Sequence, residues 1–331
     1  MKMRYFAVLL CLIPLPVLAH VRWFVPVGTD LPVMSLPTDW LAALLVSGAL
    51  VFMASVFVVA KIAAQSDALS RFVFSPWKSK QHMEWYLLFL LVNLVFIHNL
   101  LGGEFLGPHF FVMPDAMMIG VVLQAMVLIL SVVSLLMTGV LLLVVALCGV
   151  IVFSFESGID YFFEIFALGL AYILVSTRIN TFDRSAFARF GIERVAHLAP
   201  SVLRVGLGLQ LVVLAIHNKL YEPAATYFFL SEHHYYNFPQ YLGWTEFTHL
   251  HFALAAGVFE AAFGIMLMLG LATRYVLLVV SFFFVSTGII SGLEEVMGHL
   301  PIFGVIAVLF VAGDRRSSDT QQGPLLAPSP A

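Results

Sequence analysis

The sequence predicts an all-α polytopic membrane protein of about nine transmembrane helices: one N-terminal helix and two parallel four-helix units. Three observations lead there. Apolar residues make up 61% of the 331 positions and charged residues only 11%, against roughly 25% charged in an ordinary soluble domain. Several charge-free stretches run about 18 residues or more, enough at about 1.5 Å rise per residue to cross a hydrocarbon core of roughly 30 Å. The Lys and Arg residues, plotted on the resulting map, gather on one side of it.

In chain order, residues 1–19 read as a signal peptide. Lys2 and Arg4 form a basic start, Phe6 to Leu18 an apolar core, and Val17-x-Ala19 a small-residue cleavage signal. Cleavage after Ala19 makes His20 the first mature residue; the alternative is an uncleaved anchor. An outer N-terminal segment, 20–40, leads to the first helix. The spans fall at 41–60, 84–101, 116–137, 139–155, 158–176, 200–220, 249–271, 275–292 and 298–312. Short turns are expected where Gly or Pro falls: Thr138-Gly139, Ser157-Gly158 and Gly298 to Pro301. The tail from Asp314, rich in Pro, Ser and Gln, is expected to be disordered.

Charge placement tests the map. Lys61, Arg71, Lys78 and Lys80 lie between the first two spans. Arg178, Arg184, Arg189 and Arg194 lie between the fifth and sixth, with Arg204 just inside the sixth. Arg274 follows the seventh, and Arg315 and Arg316 the last. With the mature N-terminus outside, all of these are cytoplasmic, as the positive-inside rule requires of a bacterial inner-membrane protein. Arg22 and Lys219 remain outside.

Residues 84–176 and 200–313 look like two copies of one unit. Phe96-Ile97-His98-Asn99-Leu100-Leu101 matches Ala215-Ile216-His217-Asn218-Lys219-Leu220, each at the outer end of its unit's first helix. Ser157-Gly158-Ile159-Asp160 matches Ser291-Gly292-Leu293-Glu294, each opening the last helix. An even number of helices per unit makes the repeats parallel.

The second unit resembles a DoxX-type membrane module. The resemblance rests on Arg204-x-Gly206-x-Gly208, Asn218-Lys219-Leu220, Glu260-x-x-x-Gly264 and Gly270-Leu271-Ala272-Thr273-Arg274. It covers about a third of the chain; in the first unit Gln124 stands where Glu260 would, and Thr138 replaces Arg274. It implies a four-helix bundle tied, in some members, to quinone-linked redox complexes. Within that motif Arg204 and Arg274 are the cofactor-binding candidates and Glu260 the catalytic one.

Composition excludes some chemistry. The two cysteines, Cys11 and Cys148, form no C-x-x-C pair, which argues against thiol–disulfide exchange, and two cysteines alone cannot ligate an iron–sulfur cluster. A net charge of −3 suggests no nucleic-acid partner; the bilayer, a quinone and other membrane redox subunits are the expected ones.

Polar chemistry concentrates on the outer side. Glu260 lies midway along a hydrophobic span, where a carboxylate costs several kcal/mol unless paired or protonated. It is read as a proton acceptor, metal ligand or quinone contact, or else as a paired carboxyl that pins helices. His20, His98, His217, His249, His251 and His299 are the metal candidates, since imidazole suits copper and zinc. A terminal His20 would offer its amine and imidazole together, a chelate suited to Cu(II). His98 and His217 occupy equivalent places in the two units and could converge. His249 and His251, two apart on a helix, point about 200° from one another. Three functions follow: quinone-linked electron transfer, transition-metal (copper) handling, and structural assembly of a membrane complex.

Overall fold

The computed structural model describes residues 25, 29–107, 110, 114–291 and 293–314; the signal peptide, His20 and the tail beyond Asp314 lie outside them. Thirteen α-helices follow one another among the described residues. They are α1 (Trp40–Gln65), α2 (Asp67–Val73), α3 (Met83–Gly102), α4 (Pro114–Val133), α5 (Leu135–Cys148), α6 (Phe155–Ile179), α7 (Thr181–Phe187), α8 (Ala199–Ala215), α9 (Pro223–Glu232), α10 (Phe238–Tyr241), α11 (His249–Leu269), α12 (Thr273–Ser291) and α13 (Leu293–Ala312). Two π-helical turns, Gly149–Phe153 and Ile216–Tyr221, continue α5 and α8. Seven helical stretches are long and apolar enough to cross a membrane; α12 and α13 contain the shorter apolar stretches Thr273–Ser286 and Val296–Ala312. Large apolar side chains such as Leu50, Val132 and Ile151 point outward. In a bundle otherwise closed by apolar packing, such a surface belongs in lipid. The chain is a multi-pass membrane protein.

Helix boundaries differ from expectation at three turns, two of them for one physical reason. Ser134 caps α5 by accepting from the Met137 N–H at 3.1 Å, and Ser154 caps α6 by accepting from the Ser157 N–H at 3.2 Å. A serine oxygen satisfies a helix-start donor, so the helices begin there. Thr138-Gly139 and Ser157-Gly158, expected as turns, therefore lie inside helices, and Pro301 likewise lies within α13. The glycines serve packing instead. A Cβ added at Gly139 would stand 2.5 Å from the Gly169 carbonyl oxygen, and one at Gly158 equally close to that of Gly149. Small residues let membrane helices touch backbone to backbone.

The same device sets the central contacts. Gly208 of α8 meets Gly264 of α11, where an added Cβ would come within 2.6 Å of a carbonyl oxygen. Gly206, on another side of α8, lies against Ala167 of α6, and Gly304 of α13 against Leu88 of α3. Thus α3 packs on α13, α6 on both α5 and α8, and α11 on α8 and α1. Leu88, Leu142, Leu168 and Leu214 are wholly buried between them.

At the arginine-rich end, arginines close three helix C-termini. Arg184 donates to the carbonyls of Thr177 (3.0 Å) and Arg178 at the end of α6. Arg204 donates to Leu267 (2.8 Å) and Met268 (3.2 Å) at the end of α11. Arg274 donates to Phe310 (2.6 Å) and Val311 (3.3 Å) on α13 and to Phe72 on α2, its guanidinium lying 4.5 Å from the Trp77 ring centre. Terminal carbonyls lack intrahelical donors and carry the negative end of the helix dipole, so a cation there is doubly favoured. Asp314, expected in the disordered tail, is buried and accepts from the Thr273 N–H at 2.7 Å, which caps the start of α12. Burial pushes its carboxyl above the usual range, against the opposing pull of Thr273, Arg204 and Arg274.

Candidate functional site

Charged and polar side chains meet in the opposite half of the bundle, where α6, α8 and α11 pack. The π-helical turn ending α8 makes this possible. Its i→i+5 bonding widens the turn, and such turns recur at functional sites. His217 and Asn218 reach α6, while the next residue, Lys219, reaches α11. Lys219 Nζ lies 2.6 Å from Glu260 Oε2, and both side chains are 0% exposed. Gly257, one turn before Glu260, leaves room for the lysine stem; a Cβ there would stand 3.2 Å from Lys219 Cβ and 2.6 Å from Leu220 Cδ2. Two charges withdrawn from water recover much of their desolvation cost through one another, so each residue calls for its partner. Glu260 is thus a paired carboxyl joining α8 to α11.

Asp160 of α6 forms the second part. Its carboxylate is 1% exposed, with His217 Nδ1 3.1 Å from Oδ1 and Asn218 Nδ2 donating to Oδ2 at 3.2 Å. The His217 side chain remains 20% exposed. It therefore links a buried carboxylate to the bundle surface. Gln210, fully buried on α8, holds this stretch of α6 in place. Its Oε1 accepts from the Phe163 and Glu164 N–H groups, while its Nε2 donates to the Ile159 and Asp160 carbonyls at 2.8–3.2 Å. One side-chain amide thus bonds two N–H groups and two carbonyls of α6, fixing the backbone that carries Asp160. Glu164, four residues on and about 6 Å deeper on the same face, is also buried. Its carboxylate accepts no hydrogen bond among the described residues.

The histidines proposed as metal ligands go to separate places. His98 is exposed on α3, whereas His217 faces Asp160. The Nδ1 of His249 lies 3.0 Å from Asn237 Nδ2, and its ring stacks on that of His234 with centres 5.9 Å apart. His251 places Nδ1 2.8 Å from Thr248 Oγ1 and Nε2 2.9 Å from Asp39 Oδ2, joining the starts of α11 and α1. The Ala42 N–H, and after it His251, hold the Asp39 carboxyl below its ordinary range. His299 is buried with its ring centre 4.6 Å from that of Phe284. Among the described residues, no three His, Cys, Asp or Glu side chains are grouped to hold a metal ion. His20 lies outside them. The cofactor-binding candidates Arg204 and Arg274 both direct donors at helix-end carbonyls.

The aromatic segment 235–244 is part buried and part exposed, with Tyr235, Tyr241 and Leu242 on the surface. Tyr236 is buried beneath Tyr235 and Phe229, and Asn237 Nδ2 donates to the Phe247 carbonyl at 3.1 Å.

Sequence reasoning singled out Glu260 but missed its partner. Read by charge placement alone, Lys219 is one more basic residue at a span's edge, although a lysine ending an apolar span is itself an intramembrane charge signal. Asp160, Asn218 and Gln210 gave weaker signals, since isolated polar residues near helix ends are common. No protein-family model, curated protein or solved structure matches the chain.

Proposed function

We propose that this protein is a DoxX-like membrane component of quinone-linked electron transfer, in which His217 and Asp160 exchange protons with a quinone headgroup at the outer side of the bilayer. One observation carries the proposal: the buried Asp160 carboxylate lies 3.1 Å from the partly exposed His217 imidazole. Histidine titrates near neutral pH and can pass a proton through either ring nitrogen. Oxidation of a quinol to a quinone releases two protons and two electrons. On this reading the protons leave through His217 and Asp160, with Glu164 as the next acceptor inward, and the electrons pass to a partner redox subunit. The proton-acceptor role expected of Glu260 passes to Asp160, because the Glu260 carboxylate is held by Lys219 in full burial. Lys219 and Glu260 fix the turn that presents His217.

The duplicated-unit reading has support of its own. The first helix of each unit packs on the last helix of the other: α3 on α13 and α8 on α6. A pseudo-twofold relation between two parallel units exchanges those two contacts. The arginine-rich end is the cytoplasmic side under the positive-inside rule, which puts the Asp160 site near the outer face of a bacterial inner membrane.

The test is quinone retention. Nanodiscs holding the purified full chain are incubated with a short-chain ubiquinone analogue and washed. Saturable retention is expected, weakened at least about tenfold by Asp160→Asn or His217→Ala, the loss of one charge-assisted hydrogen bond. No saturable retention, or retention indifferent to both changes, contradicts the proposal.

A further inference from the structure

A second candidate site lies at the other end of the bundle. A cavity of about 440 Å³ opens between the arginine-side ends of α3, α6, α8, α11 and α13. It thus sits where the two pairs of helices that exchange between the units, α3 with α13 and α6 with α8, come together. Pockets between bundle helices are common ligand sites. We propose that this cavity binds the phosphate of an anionic phospholipid headgroup, independently of the quinone reading, which concerns the opposite half.

The lining supplies donors suited to a phosphate oxyanion. Arg178 enters from the end of α6, His197, Ser201 and Arg204 from the start of α8, and His82 from the start of α3. Arg204 is held in place by the α11 carbonyls through Nη1 alone; among the described residues its Nη2 and Nε carry no hydrogen bond. A planar guanidinium with donors to spare matches phosphate geometry. Gly270 allows this placement, since a Cβ there would fall 1.8 Å from Arg204 Nη1.

The two acids in the wall are already engaged. Glu84 accepts from the Ser79 hydroxyl and lies 4.0 Å from His82 Nδ1. Asp314 accepts from the Thr273 N–H and faces both Arg204 and Arg274. Arg178 and Arg204 thus stand among the lining residues against two carboxyls that already have partners, so unused donors rather than a net charge make the wall suited to an oxyanion. Trp77 and Trp85 flank the polar groups, while Val175, Ile179, Val308 and Val311 supply an apolar floor. Indole rings, cations and an apolar floor at the ends of membrane helices match the depth at which a lipid changes from phosphate to acyl chain.

Free phosphate presents the same oxyanion, and the experiment separates the two sources. Delipidated full-length protein in a mild detergent is heated with dioleoyl phosphatidylglycerol, with dioleoyl phosphatidylcholine, or with inorganic phosphate. Two variants are compared with the parent chain: Arg178→Ala, which removes an exposed donor, and Ser201→Phe, which fills the cavity from an exposed position. Phosphatidylglycerol should raise the unfolding midpoint by at least about 3 °C over phosphatidylcholine, a gain lost in both variants. A comparable, variant-sensitive gain from inorganic phosphate alone upholds the oxyanion site but moves its source to the free ion. No gain from either in the parent chain overturns the proposal, as does a gain that both variants keep. The parent-chain comparison stands even where a variant fails to fold.

Discussion

The two ends of the bundle use scarce charge differently. At the arginine-rich end, Arg184, Arg204 and Arg274 donate to backbone carbonyls that close α6, α11 and α13. In the opposite half, Lys219, Glu260, His217, Asn218 and Asp160 address one another's side chains. A carbonyl at a helix end is present whatever residue bears it, so an arginine there needs no particular partner. A buried carboxylate needs one specific cation or donor. Substitutions in the half that holds Asp160 and Glu260 should therefore be strongly coupled, and those at the arginine end less so, Arg204 and Arg274 sharing Asp314 as a charged neighbour.

The largest expected effect breaks that coupling. Lys219→Met removes the cation 2.6 Å from the fully buried Glu260 carboxyl, and should cost about 3–5 kcal/mol. Lys219→Met with Glu260→Met removes both charges and should recover most of that loss, since apolar replacement of a buried pair is often near neutral. Thermal unfolding in detergent of both single changes and the double change gives the coupling. Additive losses would mean that the two residues act separately.

A smaller effect sharpens the comparison at the end away from the arginines, where Asp39 ties α1 to His251 of α11. Its folded pKa lies below the ordinary 3.8, so its contribution is complete above that value and is lost as pH falls through the folded pKa. The unfolding midpoint should decline slightly more steeply below about pH 4 in the parent chain than in Asp39→Asn. The carboxylate is exposed, so the difference should stay small. Equal slopes would remove the Asp39 contact from the account.

How far the sequence carries follows from the same contrast. Composition and apolar length suffice for the membrane class, because lipid demands long apolar helices whatever their neighbours. Glycine misleads at the turns: Gly139 and Gly158 look like breakers, yet they are contact points within helices that serine caps had already begun. Glu260 stands out because a mid-span acid is rare. Lys219 does not, because its partnership depends on a π-turn that one sequence does not announce. The histidines show the opposite error, since a one-sided collection in sequence becomes, among the described residues, a set of separate hydrogen bonds and ring contacts.

The central claim is that Asp160, rather than Glu260, exchanges the proton, and infrared spectroscopy tests it most directly. Difference spectra between samples loaded with the reduced and with the oxidised short-chain ubiquinone analogue, recorded on the parent chain, Asp160→Asn and Glu260→Gln in nanodiscs, follow each carboxyl through its C=O stretch. A carboxyl band that differs between the two states in the parent chain should persist in Glu260→Gln and vanish in Asp160→Asn. A band that survives Asp160→Asn and disappears with Glu260→Gln would contradict the account.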